Sequence, residues 1–351
     1  MTIRERTEAL EREWLSPRAA LSAETYGRAQ PETPCPVRTA YQRDRDRIIH
    51  QCKAFRRLAY KTQVFISPHQ DHLRTRLSHT LEVAQISRTI AKALRLNDEL
   101  TEAIALGHDV GHTPFGHAGE AALAEAYAQQ IPGASFHHAE HSLRVLTELE
   151  RDGSGLNLTA ETLDGIAGHS KGSRDTLETL NESPPRTLEG MVVRIADRIA
   201  YVNHDIDDSI RAGVLALDDL PPEALAVLGR QHGQRVSVLV QSLVEHSLDQ
   251  PGLGMAPEVA GALDALKDFL YERVYHSTHM VQERERVRHL VWNLFDLYMN
   301  DDEALHAATE LVPSGRGVRA RLVADHIAGM TDRYATNQYL RSFVPGVLPE
   351  G

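Results

Sequence analysis

The chain has 351 residues, 42% of them hydrophobic and 25% charged, with a formal net charge of −11; this suits one large or two intimate globular domains and counts against a generally cationic nucleic-acid binder. No run approaches the roughly 20 apolar residues that span a bilayer, and the opening MTIRERTEALEREWLS is charged from the start, without a secretory apolar core. Two cysteines, Cys35 and Cys52, lack zinc-type spacing, so a reducing cytoplasm and no disulfide framework are predicted.

Helical periodicity dominates and alternating strand patterns are missing, so the predicted fold is all-α. Residues 1–35 read as a charged helix and a loop holding Pro31, Pro34 and Pro36, and a very basic helix is predicted from Arg38 to about Tyr60. After a loop around Ser67-Pro68, a long helix starts at Asp71 or His72. In it His79, Val83, Ile86, Ile90 and Leu94 share one inward stripe. Asn97 or Asp98 can cap the next helix, which ends at Gly107-His108-Asp109, and another begins near Gly116. Later helices are predicted over about 136–150, 159–168, 187–211, 232–249, 257–275, 279–299 and 316–345, with Gly153 to Gly155 and Ser183-Pro184-Pro185 as breaks. Residues 212–223 and 250–257 read as excursions. No repeat and no clean domain boundary is visible.

Chemistry concentrates between His50 and His141, where ten of the 19 histidines bunch. GHDVGHTPFGHAGE, Gly107 to Glu120, holds three histidines and two acids in fourteen residues. His79 lies inward on the preceding helix, and Asp197 sits inside the apolar MVVRIADRIAYV. A carboxylate there is costly unless a cation or donors meet it. Two imidazoles and two carboxylates suit Mn, Mg, Fe, Ni, Co or Zn with positions left open for water or phosphate. The plainer reading is that His79 and Asp197 only hydrogen-bond within a helical core. No GxxxxGK[ST] phosphate loop occurs, which weighs against a P-loop NTPase, and Gly168-His169-Ser170-Lys171-Gly172 is too short to use alone.

These segments carry a resemblance. RDRDRIIHQCKAFRRLAYKTQVF (Arg43 to Phe65), DHLRTRLSHTLEVAQISRTIAKAL (Asp71 to Leu94), EAIALGHDVGHTPFGHAGE (Glu102 to Glu120), RIADRIAYVNHDIDD (Arg194 to Asp208) and ADHIAGMTDRYA (Ala324 to Ala335) make the chain similar to the deoxyguanosinetriphosphate triphosphohydrolase-like (dGTPase) family of HD hydrolases. The stretch from about Ala212 to Gly315 is far less telling. The resemblance implies an HD-domain helical bundle with added N- and C-terminal helices, one unit over 1–351 with the metal-binding core at 72–210. It implies that a dNTP loses its whole triphosphate through attack of water at the α-phosphorus. It makes His79, His108, Asp109 and Asp197 ligands of a divalent ion, Mn or Mg first and Fe, Ni, Co or Zn as alternatives. His117 becomes the catalytic histidine with Glu120 its partner, three residues apart on one helix face. His112 and His138 would contact phosphate oxygens, as would Arg76 and Arg198. Tyr201 would pack on the sugar, and Asp205 and Gln63 would hold its 3′-hydroxyl.

Bland alternatives stand beside these roles: a histidine loop that only orders the metal ligands, or arginines in ordinary ion pairs. The basic helix interleaves Asp44 and Asp46 with its arginines, a pattern of internal ion pairs or an oligomer surface more than of DNA binding, which is weakly supported. Arg316, Arg319 and Arg321 suit a triphosphate, a regulatory pocket or the bare helix surface. A homo-oligomer and a regulatory dNTP fit the resemblance, and no membrane is implied. The rival functions are an HD nucleotidase or phosphodiesterase on other nucleotides, and a non-catalytic nucleotide-sensing or DNA-binding module.

Overall fold

The computed structural model describes residues 1–65, 72–170, 175–180 and 185–345; Ser67-Pro68, Lys171-Gly172 and Ser183-Pro184 lie outside the described residues. Among the described residues there are seventeen α-helices and two isolated bridges, Arg28 to Thr159 and Thr62 to Thr75, but no strand. The fold is all-α, as expected.

The N-terminal half contains α1 (Ile3–Trp14), α2 (Ala40–Gln51), α3 (Lys53–Arg57), α4 (Arg76–Ala93), α5 (Asp98–Gly107), α6 (Gly116–Gln130), α7 (His138–Arg144), α8 (Ala160–Ala167) and α9 (Thr176–Leu180). There follow α10 (Leu188–Arg211), α11 (Pro222–Leu228), α12 (His232–Ser247), α13 (Pro257–Leu270), α14 (Thr278–Asn300), α15 (Asp302–Thr309), α16 (Arg316–Gly329) and α17 (Asp332–Phe343). Side-chain caps set many of the starts. Thr39, Thr75, Asn97, Thr159, Thr187 and Thr331 each accept a first-turn amide that would otherwise lack a partner.

α10 runs through the middle of the larger apolar cluster, against α4, α5, α8, α12 and α13. Met191 to Ala200 are buried without a break, as expected of a helix enclosed on all sides. The inward stripe of α4 also holds, because His79, Val83, Ile86, Ile90 and Leu94 are all buried. A smaller cluster joins α6, α14 and α16 through Leu123, Val291, Phe295 and Ile327. The loop from His108 to Phe115 bridges the two, with Val110 in the larger and Phe115 in the smaller.

Several predicted helices are broken. The basic helix stops at Cys52, which is extended (φ −80°, ψ 110°) and turns its sulfur to the Phe55 amide, while Glu150 accepts the Ala54 amide at 2.8 Å. The predicted 316–345 helix divides at Met330, where Thr331 caps a new helix. The helices predicted over 136–150 and 257–275 end in π turns at 145–149 and 271–275. α9, α11 and α15 were not anticipated. Arg38 and the arginines of α2 meet carboxylates: Arg38 reaches Asp46 at 2.8 Å, Arg43 and Arg47 reach Glu32 at 3.0 and 2.6 Å, and Arg45 pairs with Glu99. That is the internal ion-pair pattern.

Candidate active site

Three helices and one loop bring the predicted ligands together. His79 projects from the first turn of α4, His108 and Asp109 follow the end of α5, and Asp197 lies midway along α10. Donor atoms of His79, His108 and Asp109 fall within 4.8 Å of one another. His79 Nε2 is 3.1 Å from Asp197 Oδ1 and 3.9 Å from Asp109 Oδ2, and His108 Nε2 is 3.4 Å from Asp109 Oδ1.

The ring orientations fit a cation. His108 Nδ1 lies 2.7 Å from the Ala105 carbonyl and donates to it, so Nε2 carries the lone pair. That Nε2 is buried and has no hydrogen-bond partner, a state a metal ion would relieve. Burial holds His79 below the ordinary histidine range, against the opposing pull of Asp197, so its ring is neutral at pH 7, the form in which a histidine can ligate a metal. Burial alone would raise Asp109, but His108, Arg76 and His79 hold its carboxyl well below the usual range.

Arg76, fully buried, donates from Nη1 to Asp109 Oδ2 at 2.7 Å, while its Nε and Nη2 have no partner. The Oε1 of Gln63 is likewise buried and unpartnered. Buried groups of this kind mark where a polar ligand belongs.

A second histidine group adjoins the first. Glu120, on α6, accepts the backbone amide of His138 at 2.8 Å, and its oxygens lie 3.1 Å from His117 Nδ1 and 3.0 Å from His138 Nδ1. Burial would raise Glu120, yet these hydrogen bonds and the two nearby rings hold it well below the usual range. The His117 side chain is 76% exposed, so its far nitrogen faces open space. His112 stacks on His138 at 3.9 Å and points Nε2 to Asp109 Oδ1 at 3.4 Å. Burial and the charge of Arg76 keep His112 well below its ordinary value.

The turn leading into α6 is left-handed at both Phe115 (φ 61°) and Gly116 (φ 59°). Asp332, on α17, accepts the Phe115 amide and the Thr62 amide, each at 2.8 Å. Buried Lys61 donates to the carbonyls of His112 and Ala328, the latter at 2.7 Å.

Two predicted residues are engaged elsewhere. Arg198 donates to Thr176 at 3.2 Å and lies 3.6 Å from Asp264. Asp205 accepts the Tyr275 hydroxyl and lies 2.9 Å from His204 Nδ1. Tyr201 is half-buried on the same helix. Arg321 pairs with Asp325 and approaches His141, Arg319 pairs with Asp302, and Arg316 reaches Gln130.

The sequence reading missed His204, His169 and Tyr275. His204 Nε2 sits 2.7 Å from His79 Nδ1 and orients that ring from behind. It lies seven residues beyond Asp197, two helical turns along the same face, a signal that was available. His169 Nε2 is 3.2 Å from His138 Nε2.

Comparison with known proteins identifies the family. Residues 76–202 match the HD domain and residues 253–341 the phosphohydrolase-associated domain. A deoxyguanosinetriphosphate triphosphohydrolase-like protein of Caldanaerobacter subterraneus subsp. tengcongensis is 50% identical, over 98% of this chain and 97% of its own. The chain belongs to the deoxyguanosinetriphosphate triphosphohydrolase-like family. A second member, from Desulfatibacillum aliphaticivorans, is 47% identical over 98% of this chain and 99% of its own. The crystal structure of a phosphohydrolase from Bacteroides thetaiotaomicron covers 85% of this chain and 68% of its own at a TM-score of 0.50 and 17% identity, a likeness of fold alone. The family member described here is thus an HD-type hydrolase whose His/Asp cluster could hold a metal ion. Among its described residues, no helix is long and apolar enough to cross a membrane.

Proposed function

We propose that this chain hydrolyses deoxynucleoside triphosphates, dGTP among them, to the deoxynucleoside and inorganic triphosphate by attack of water at the α-phosphorus. One observation carries the reading. Beside the four converging ligands stands a buried guanidinium, Arg76, with two nitrogens unpartnered, the donor a polyphosphate needs.

His79, His108, Asp109 and Asp197 would hold a divalent ion, Mn or Mg. Such an ion supplies charge neutralisation and a bound water of lowered pKa. The protein's own groups do the rest. Arg76 is fixed through Asp109, so its free Nε and Nη2 can bind phosphate oxygens without further ordering. His112 and His138, stacked together, face the same space. Glu120 is anionic and holds the Nδ1 proton of His117. With Nδ1 tied to Glu120, the exposed Nε2 of His117 is the atom that would carry a proton to the leaving 5′-oxygen.

Gln63 Oε1 would accept the sugar 3′-hydroxyl, with Tyr201 under the ring; Asp205 would join it only by leaving the Tyr275 hydroxyl. Arg198 would reach phosphate only by leaving Thr176 and Asp264. We assign the whole of 1–351 to one helical unit around an HD core at 72–210. A cytoplasmic homo-oligomer, tuned by a second dNTP, is the setting that fits this activity.

The test is product analysis by ion-exchange chromatography after incubation of the full chain with each dNTP under Mn or Mg. Triphosphate and deoxynucleoside in equal amounts are expected. Monophosphate with pyrophosphate, or no turnover of any dNTP, overturns the proposal.

A further inference from the structure

A cavity of about 150 Å³ lies between α3, α7 and α16, and neither the four converging ligands nor Arg76 line it. Its cations are Arg57, Lys61 and Lys53, the last 64% exposed on the side open to solvent. Among the described residues no carboxylate stands within 4 Å of the Arg57 guanidinium, and its Nε is buried without a hydrogen-bond partner. Lys61 is buried and donates to the His112 and Ala328 carbonyls, which leaves one ammonium proton over. His141 also lines the cavity. Burial and the charge of Arg321 hold it well below its ordinary range, so the ring is neutral. Its Nδ1 lies 3.1 Å from Arg321 Nη2 and can only accept from it, so the ring proton is on Nε2, a further donor.

The two acids of the lining differ. Asp325 is taken by Arg144 and Arg321, each at 2.8 Å. Glu150 Oε1 accepts the Ala54 amide at 2.8 Å, while its Oε2 is buried with no partner. An unpaired guanidinium and an unpaired carboxylate oxygen thus belong to one cavity without pairing with each other. Buried groups of this kind call for an occupant that accepts on one side and donates on the other.

We propose that this cavity binds one hydrogenphosphate ion. Its anionic oxygens take Arg57, the remaining Lys61 proton and His141 Nε2, and its P–OH donates to Glu150 Oε2. Sulfate has the same shape and charge but no proton at neutral pH, so it would leave Glu150 facing an acceptor. Size sets a second limit. The volume equals roughly five waters at about 30 Å³ each, enough for one tetrahedral ion and well short of the roughly 300–1,000 Å³ of sites that enclose larger organic ligands. Lys61 also holds the His112 carbonyl, so one side chain ties the ion to the histidine loop. The competing occupant is water bridging Arg57 to Glu150, which prefers neither anion.

The full chain, freed of metal by chelator, is titrated calorimetrically with sodium phosphate and with sodium sulfate at neutral pH and constant ionic strength. One phosphate per chain is expected, with sulfate weaker by about tenfold or more. Arg57→Gln should weaken phosphate by a similar factor. Glu150→Gln, which keeps an acceptor for the Ala54 amide, should close the gap between the two anions. Arg76→Gln should leave phosphate binding unchanged, which places the ion away from the His/Asp cluster. The wild-type ratio and the Arg76→Gln result decide the matter should Arg57→Gln lose its circular dichroism. Absence of saturable binding, equal affinity for sulfate, or loss of the phosphate in Arg76→Gln overturns the proposal. None of these readings depends on turnover of a dNTP.

Discussion

At Gly111 the histidine loop packs backbone to backbone on α7. A Cβ on it would stand 2.1 Å from the Ser142 nitrogen, 2.5 Å from the His138 carbonyl oxygen and 2.6 Å from the His141 carbonyl carbon. All three are backbone atoms, so no rotamer change relieves the overlap. Ordinary contacts need about 3.5 Å, and Gly111→Ala must drive loop and helix apart by roughly 1 Å. That separation also stretches the relay in which the Gly111 amide donates to Ser142 Oγ at 2.9 Å and Ser142 Oγ donates to the His108 carbonyl at 2.8 Å. Overpacking costs about 1–3 kcal/mol and each weakened hydrogen bond about 1 kcal/mol, so a loss of about 3–5 kcal/mol is expected. Because His138 moves relative to Asp109, turnover should fall by about 10²-fold. Urea denaturation of the metal-free chain and turnover at saturating metal measure the two effects. Gly261→Ala is the control: it lies within α13 with nothing within 4 Å of its Cβ, and should gain up to ~1 kcal/mol. Stability and turnover of Gly111→Ala within error of wild type would refute the argument.

His79→Ala and Asp197→Ala should each lose bound metal and nearly all activity while circular dichroism stays unchanged; stoichiometric metal with wild-type turnover in either variant would remove the proposed metal centre. His117→Ala should keep metal and substrate affinity while kcat and kcat/KM fall together by about 10²–10⁴-fold, and full recovery at high metal concentration would make the ring mere scaffolding. Glu120→Gln disturbs two rings and should also shift the pH–rate profile, which an unchanged profile would contradict. Lys61 is pushed down to about 7 by burial, with Arg57 adding to the effect. Between that value and its ordinary 10.5 the unfolded chain holds the extra proton, so the stability of wild type relative to Lys61→Met should rise with pH across that window, by at most about 1.4 kcal/mol per pH unit. Urea melts of both proteins at pH 7, 8 and 9 test this, and a pH-independent difference refutes it.

The helical class and the convergence of His79, His108, Asp109 and Asp197 were legible because each rests on a local pattern: inward spacing on α4, a loop dense in histidine, and a lone acid in an apolar helix. The break at Cys52 was not, since it is imposed by Glu150, almost a hundred residues away, accepting the Ala54 amide. The break at Met330 likewise answers to partners on distant loops, Thr62 and Phe115. His169 stood in a motif too short to weigh, and its meaning comes only from facing His138 across a gap that no spacing rule encodes. Arg198 adjoins Asp197 in sequence, yet helical geometry turns neighbours about 100° apart, and its guanidinium meets Thr176 and Asp264.

Asp332 ties the histidine loop to a residue made more than two hundred positions after it. Until α17 is synthesised, the amides of Thr62 and Phe115 have no carboxylate to hold them, and the left-handed turn before α6 lacks its anchor. Lys61 waits similarly for the Ala328 carbonyl. An incomplete chain leaving the ribosome therefore carries the histidine loop without its brace.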